Sequence, residues 1–200
     1  MSSSSPTVVG VVVALGILAG CTAAPAADPP HSGEVPAFAG PWAAEFADVY
    51  TWTTTDFERA ALADGVISDQ ELAEVRNRMT SCLTALGFSE IEFGPDGSLS
   101  LMPPGGYDED TTGDQMLDCS TESGEGTVGA LHSWIRRNPQ NLDEDTIMAA
   151  CLVREGVVDP SYDAAAYAED STNGTIPFID PAAGQVADMK CNHDPLGLFG

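Results

Sequence analysis

Positive charge is the scarcest thing in this chain. Seven Lys and Arg stand against 31 Asp and Glu, the formal net charge is −24, and Lys190 is the lone lysine. A surface so poor in cations repels phosphate backbones and anionic head groups, which argues against nucleic-acid binding. It suits solubility, cations or a basic partner instead. Long apolar runs are missing too. The one stretch, Val8 to Leu18 with its flank, covers roughly 13 residues, where a membrane-spanning helix needs about 20. Sequence motifs for catalysis are absent: there is no G-x-S-x-G, S-x-x-K, H-E-x-x-H or C-x-x-C. No carboxylate spacing singles out an acid–base pair. No catalytic residue and no cofactor is expected. Core-forming residues are thin as well. Leu, Ile, Val and Phe supply 34 of the 179 residues after Cys21, about 19 %, just under the level at which a charged chain begins to look disordered.

The most specific feature present is Leu18-Ala19-Gly20-Cys21. Small residues before a cysteine, closing an apolar run of signal-peptide length, have the form of a bacterial lipobox. On that reading Cys21 takes a thioether-linked diacylglycerol and becomes the mature N-terminus, held to the extracytoplasmic face of the cell membrane by lipid. Met1 to Pro6 lacks the Lys or Arg that usually opens such a signal. Residues 1–20 read as the signal peptide and 21–38 as the lipidated cysteine with an Ala/Pro-rich tether. Residues 39–200 read as a single helical domain with halves of about 39–125 and 126–200.

Four cysteines remain: Cys82, Cys119, Cys151 and Cys191. An even number in an exported chain implies two disulfides with three possible connectivities. An internal repeat favours one of them. Cys82-Leu83, three residues, Gly87 and Phe88 are echoed by Cys151-Leu152, three residues, Gly156 and Val157. Each is followed by a Met-containing segment ending in cysteine, Met116 to Cys119 and Met189 to Cys191. If the halves are equivalent, the bridges are Cys82–Cys119 and Cys151–Cys191.

Apolar spacing predicts a mostly α fold with one β-hairpin, in two tandem halves each stapled by a disulfide. A helix is expected over Pro41 to Leu62, interrupted near Thr53-Thr54-Thr55. A second, opened by a Ser68/Glu71 capping box and closed by Gly87, carries the stripe Leu72, Val75, Met79, Cys82, Leu83 and Leu86. Phe88–Phe93 and Ser98–Met102 alternate like hairpin strands. Pro103 to Gly113 reads as an acidic Gly/Pro loop. Further helices are expected from about Thr127 to Arg137, from the N-cap Asp143 to Glu155, near Tyr162–Glu169, and from Pro181 to Cys191.

Metal chemistry has two weak candidates. Asp64-Gly65 through Glu71 matches the second half of an EF-hand loop, but the earlier ligand positions fall on Ala60 and Leu62, which offer no oxygen. A helix–turn–helix corner without metal is the better reading. Asp108, Asp110 and Asp114 cluster in the acidic loop and could take up Ca²⁺, although a solvated loop is the default. His132 reads as a packing or surface side chain, and Trp42, Trp52 and Trp134 as core residues more than as a sugar groove.

Several segments together resemble small cell-envelope lipoproteins of actinobacteria. They are the lipobox, Leu62-x-Asp64-Gly65-x-Ile67-Ser68-x-x-Glu71, Cys82-Leu83 with Gly87-Phe88, and Asn138-Pro139 ahead of the run Cys151 to Tyr162. The tail Asp194-Pro195-Leu196-Gly197 completes the set. The resemblance implies a location and an architecture and brings no activity with it. The expectation is a non-catalytic, lipid-anchored envelope module that binds an envelope protein or cell-wall component through an acidic surface. A Ca²⁺-binding surface module ranks second and a cell-wall hydrolase third.

Overall fold

A computed structural model describes residues 34–94, 97–105 and 109–199, with Glu109 and Asp110 described by backbone alone. The lipobox Leu18, Ala19, Gly20, Cys21 and most of the tether lie outside the described residues. The fold is mostly helical, with one two-stranded antiparallel hairpin and two disulfides.

The chain enters through Phe38, whose ring packs on Phe46 at 5.5 Å and on Tyr50 at 6.0 Å. Helix α1, Ala43–Trp52, stops at Thr53. Thr53 is buried, and its hydroxyl donates to the Tyr50 carbonyl at 2.8 Å. Thr55 then caps α2, Asp56–Leu62, in a capping box with Glu58. The threonine run is thus a built corner. Its centre is the buried Glu58 carboxylate, which accepts from the backbone N–H groups of Thr54 (3.0 Å) and Thr55 (2.9 Å) and from the Thr127 hydroxyl (2.6 Å).

Helix α3, Asp69–Ala85, opens with the expected Ser68/Glu71 box. The hairpin follows as β1, Ser89–Phe93, and β2, Leu99–Met102. Its register slips between Ser89 and Glu92, where Glu90 takes a positive φ of 52°, so the strand alternation is broken by a bulge. The segment from Pro103 was expected to remain a loop through Gly113. Instead α4, Glu109–Ser123, begins inside it. Its apolar residues are too sparse for a stripe, but Cys119 and Met116 anchor it on the cluster formed by Met79, Leu83 and Phe88.

A π-helical turn, Glu125–Gly129, leads into α5, Ala130–Arg137. Val128 and Leu131 from this stretch pack with Phe46, Leu62 and Val75, so α5, which the sequence division near residue 125 assigned to the second half, packs into the core of the first. Asn138, nearly fully buried, locks the loop that follows by exchanging two hydrogen bonds with the Leu142 backbone. Asn141 reaches back to Pro41 O (3.0 Å) and Glu45 Oε1 (2.7 Å). The second half contains α6, Glu144–Arg154, α7, Ala164–Asn173, and α8, Pro181–His193. Its core is Met148, Cys151, Leu152, Val158, Ala187 and Cys191.

The repeat is real at the level of hydrogen bonds. At the end of α3, Phe88 N–H donates to Leu83 O (3.1 Å) and Gly87 N–H to Thr84 O (3.0 Å); at the end of α6, Val157 donates to Leu152 (3.2 Å) and Gly156 to Val153 (3.0 Å). Both glycines sit at positive φ, 91° and 69°. This is the Schellman closure, with its apolar contact from Phe88 to Leu83 and from Val157 to Leu152 within their cores. One turn back, each helix is bridged to a later one: Cys82 to Cys119 on α4 and Cys151 to Cys191 on α8, with Cα–Cα distances of 5.6 and 5.7 Å.

Candidate functional site

In a chain with seven cations, where each one goes is informative. Arg59 donates to Asp56 at 2.6 Å. Arg78 donates to Glu74 at 2.8 Å and stacks 4.0 Å above the Phe57 ring. Arg154 donates to the Pro195 carbonyl at 3.1 Å, which ties α6 to the C-terminal tail. Lys190 is held by both oxygens of Glu155 at 2.8 Å. These four are engaged within the fold. The carboxylates greatly outnumber them, so the exterior is left strongly acidic.

The other three, Arg76, Arg136 and Arg137, converge on one cleft with His132 and His193. Helix α3 supplies Arg76, the hairpin turn Gly97, α5 the run His132, Ser133, Arg136 and Arg137, and the end of α8 Asn192 and His193; Phe199 closes it. Its volume is about 50 Å³, room for a few water-sized atoms at roughly 10–15 Å³ each. Arg136 lies 4.0 Å over the Phe199 ring, and Arg76 lies 5.1 Å over Phe93. Stacking of this kind fixes the guanidinium plane and leaves its edge free to donate. Arg137 also forks onto Glu144 at 2.9 and 2.7 Å. The Nε atoms of Arg76 and Arg137 are buried without a hydrogen-bond partner among the described residues.

Local sequence explains each placement. His132 and Arg136 are four apart on α5 and so share a face. Phe199 is folded back because Asp194 accepts from the backbone N–H groups of Leu198 (2.7 Å) and Phe199 (2.9 Å). Burial pulls the Asp194 carboxyl upward, but these donors outweigh it and hold it below its usual range. Gly97 takes φ 82°, and a Cβ there would lie 2.5 Å from Ser133 Oγ, so only glycine lets the hairpin turn come this close. Burial lowers the His132 pKa, and the neighbouring charges of Arg76 and Arg136 lower it further against the opposing pull of Asp69. The imidazole is therefore mainly neutral at pH 7. Near the same arginine, burial raises the Glu125 carboxyl despite the lowering effect of Arg76.

On its other side His132 borders an apolar groove of about 240 Å³ lined by Trp42, Phe46, Val66, Ile67 and Ile135. His132 is thus the wall shared by a basic cleft and a greasy one, where the sequence read it only as a packing or surface side chain. Among the described residues, the ionisable groups lining the cleft are all cationic or imidazole, which favours a ligand that brings negative charge.

The residues singled out from sequence lie elsewhere. Cys82, Cys119, Cys151 and Cys191 are all in bridges. Asp108 is outside the described residues, Asp110 is described by backbone alone, and Asp114 is exposed on α4. Among the described residues no group of three His, Cys, Asp or Glu is arranged to hold a metal ion. In the EF-hand-like corner, Asp64 accepts from Val66 N–H at 3.0 Å and Glu71 from the Ser68 N–H at 2.8 Å, as turn and cap geometry require. Of the tryptophans only Trp42 packs into a core, donating its Nε1–H to Asn138 O at 2.9 Å. Trp52 and Trp134 are 71 % and 49 % exposed, which corrects their reading as core residues. Trp134 lies two positions from His132, on the far side of α5, and does not line the cleft.

The one sequence signal that pointed to the cleft is the adjacent pair Arg136-Arg137 in a chain with so few cations. Compared with known proteins, the chain matches no family model, no curated protein and no solved structure.

Proposed function

We propose that this is a lipid-anchored, extracytoplasmic envelope protein whose task is binding, carried out by an acidic exterior on a disulfide-braced helical scaffold. The observation that supports the reading best is the pairing and grouping of the few cations against a large excess of carboxylates. Arg59, Arg78, Arg154 and Lys190 are tied to partners in the fold, and Arg76, Arg136 and Arg137 are gathered in a recess. Carboxylates are what a partner meets first. The complementary partner is a basic envelope protein or a cationic wall component. The two bridges fit an oxidising compartment, and lipid at Cys21 is the proposed attachment. Among the described residues no helix is long and apolar enough to cross a membrane.

Fractionation of cells tests the anchor. The wild-type protein is expected with membranes, and Cys21→Ala is expected in the soluble extracytoplasmic fraction. Wild-type protein found free, or Cys21→Ala still on membranes, overturns the anchoring. Binding to a basic partner should weaken as salt rises, because exposed charges are screened over about 8 Å at physiological ionic strength.

A further inference from the structure

The basic cleft has no role in an account built on an acidic exterior. The sequence places Arg76 far from Arg136 and Arg137, and the fold brings all three together with His132 and Ser133. Confining like charges costs free energy unless something negative joins them, and the fold supplies only part of it. Glu144 meets Arg137. Asp69, on α3, acts on His132 from the exposed surface, Glu125 acts on Arg76, and Asp194 acts on His193. None of these carboxylates lines the cleft. Among the described residues the buried Nε of Arg76 and that of Arg137 meet no acceptor, and a buried charged donor left unmet is costly.

From this geometry we infer that the cleft between α3, α5 and the C-terminal tail binds a phosphate group. Three features select phosphate over a carboxylate. Guanidiniums approach from two helices, which suits a tetrahedral group with several acceptor oxygens better than a planar one with two. The dianion matches the surplus positive charge of the lining. The volume of about 50 Å³ admits a compact group and little more. The imidazole of His132 and the hydroxyl of Ser133 add neutral hydrogen-bonding partners at the wall. Repulsion from the acidic exterior does not prevent this. Charges more than about 8 Å away are largely screened at physiological salt, whereas the guanidiniums act at contact.

The phosphate could be free or could be the head of an amphiphile. The apolar groove across His132, lined by Trp42, Ile67 and Ile135 with Val66 at its exposed rim, would accept an acyl chain attached to that head. The two sources separate experimentally.

The test is calorimetric titration of the full chain, purified in a neutral maltoside detergent, with inorganic phosphate and with dihexanoyl phosphatidate. The expected result is saturable one-site binding of phosphate, at least tenfold weaker in Arg76→Gln and in Arg136→Gln at unchanged melting temperature. Arg59→Gln, remote from the cleft, should bind as wild type. Ser133→Asp, which adds a carboxylate to the wall without removing an arginine, should abolish binding and serves if an arginine variant fails to fold. Tighter binding of the phosphatidate, reduced by Val66→Glu at the groove rim, supports the proposal with a lipid as source. Equal or weaker binding supports it with a soluble phosphate compound. No saturable phosphate binding at tens of millimolar, or binding that survives both Arg76→Gln and Ser133→Asp, overturns it. None of these outcomes bears on the acidic exterior, so either idea can fail alone.

Discussion

Two glycines show how far a single position is constrained. A Cβ on Gly184 of α8 would run into the Phe178 ring, which packs on the second core. Gly184→Ala should therefore cost roughly 1–3 kcal/mol, as overpacking does, measured by urea denaturation. Gly113 on α4 is the opposite case: a Cβ there meets nothing within 4 Å, and its φ is not positive. Gly113→Ala should stabilise by about 0.5–1 kcal/mol through helix propensity and a less free unfolded chain. Asp188 on α8 gives a pH test. Burial raises its pKa above the unfolded value, and its Oδ1 is buried without a partner. The protonated form is thus the one the fold prefers, so its favourable contribution is complete below the unfolded pKa and is lost as pH rises through the folded one. Asp188→Asn should raise the melting temperature at pH 7, and the gain should vanish near pH 3. His132 runs the other way. Its lowered pKa favours neutral imidazole, so the stability it contributes is present above its ordinary value and falls as pH drops through the folded one.

Helix ends were the most legible part of the sequence because their chemistry is local. Ser68 with Glu71, Asp143 and the glycines at 87 and 156 act within a few residues of themselves, and each cap forms as read. Asp143→Ala should lose the bond from Thr146 N–H, 2.9 Å in the fold, seen as a lower urea midpoint at unchanged slope. Helix α4 was not legible. Its amphipathic stripe is weak, and Gly113 and the threonines before it look like loop; it is held by the Cys82–Cys119 bridge and by packing on α3. The turn Glu125–Gly129 was hidden for a similar reason. It is shaped by Gly124 at φ 83° against Glu58, and by Gly129, where any Cβ would sit 2.6 Å from the Glu125 carboxylate.

Viewed as one body, the protein offsets a thin apolar core by repetition. Each half closes a helix with the same glycine cap and bridges it to a later helix, over separations of 37 and 40 residues. In the chain-entropy account such bridges contribute about 4 kcal/mol each. Replacing Cys151 and Cys191 together by Ser should lower stability by about 2–5 kcal/mol, read by thermal and urea melts. Beyond the pair Arg136-Arg137, the basic cleft was not legible, since it exists only once α3, α5 and the tail meet. The acidic exterior was, because charge balance is a property of composition.

Binding through that exterior can be tested in intact cells. A C-terminally tagged copy is cross-linked in place, purified from the envelope and compared with a copy in which exposed carboxylates are reversed to lysine. One recurrent basic envelope component should be captured by the native chain and lost on charge reversal. Recovery of the protein alone, or a companion indifferent to the reversal, would contradict such binding.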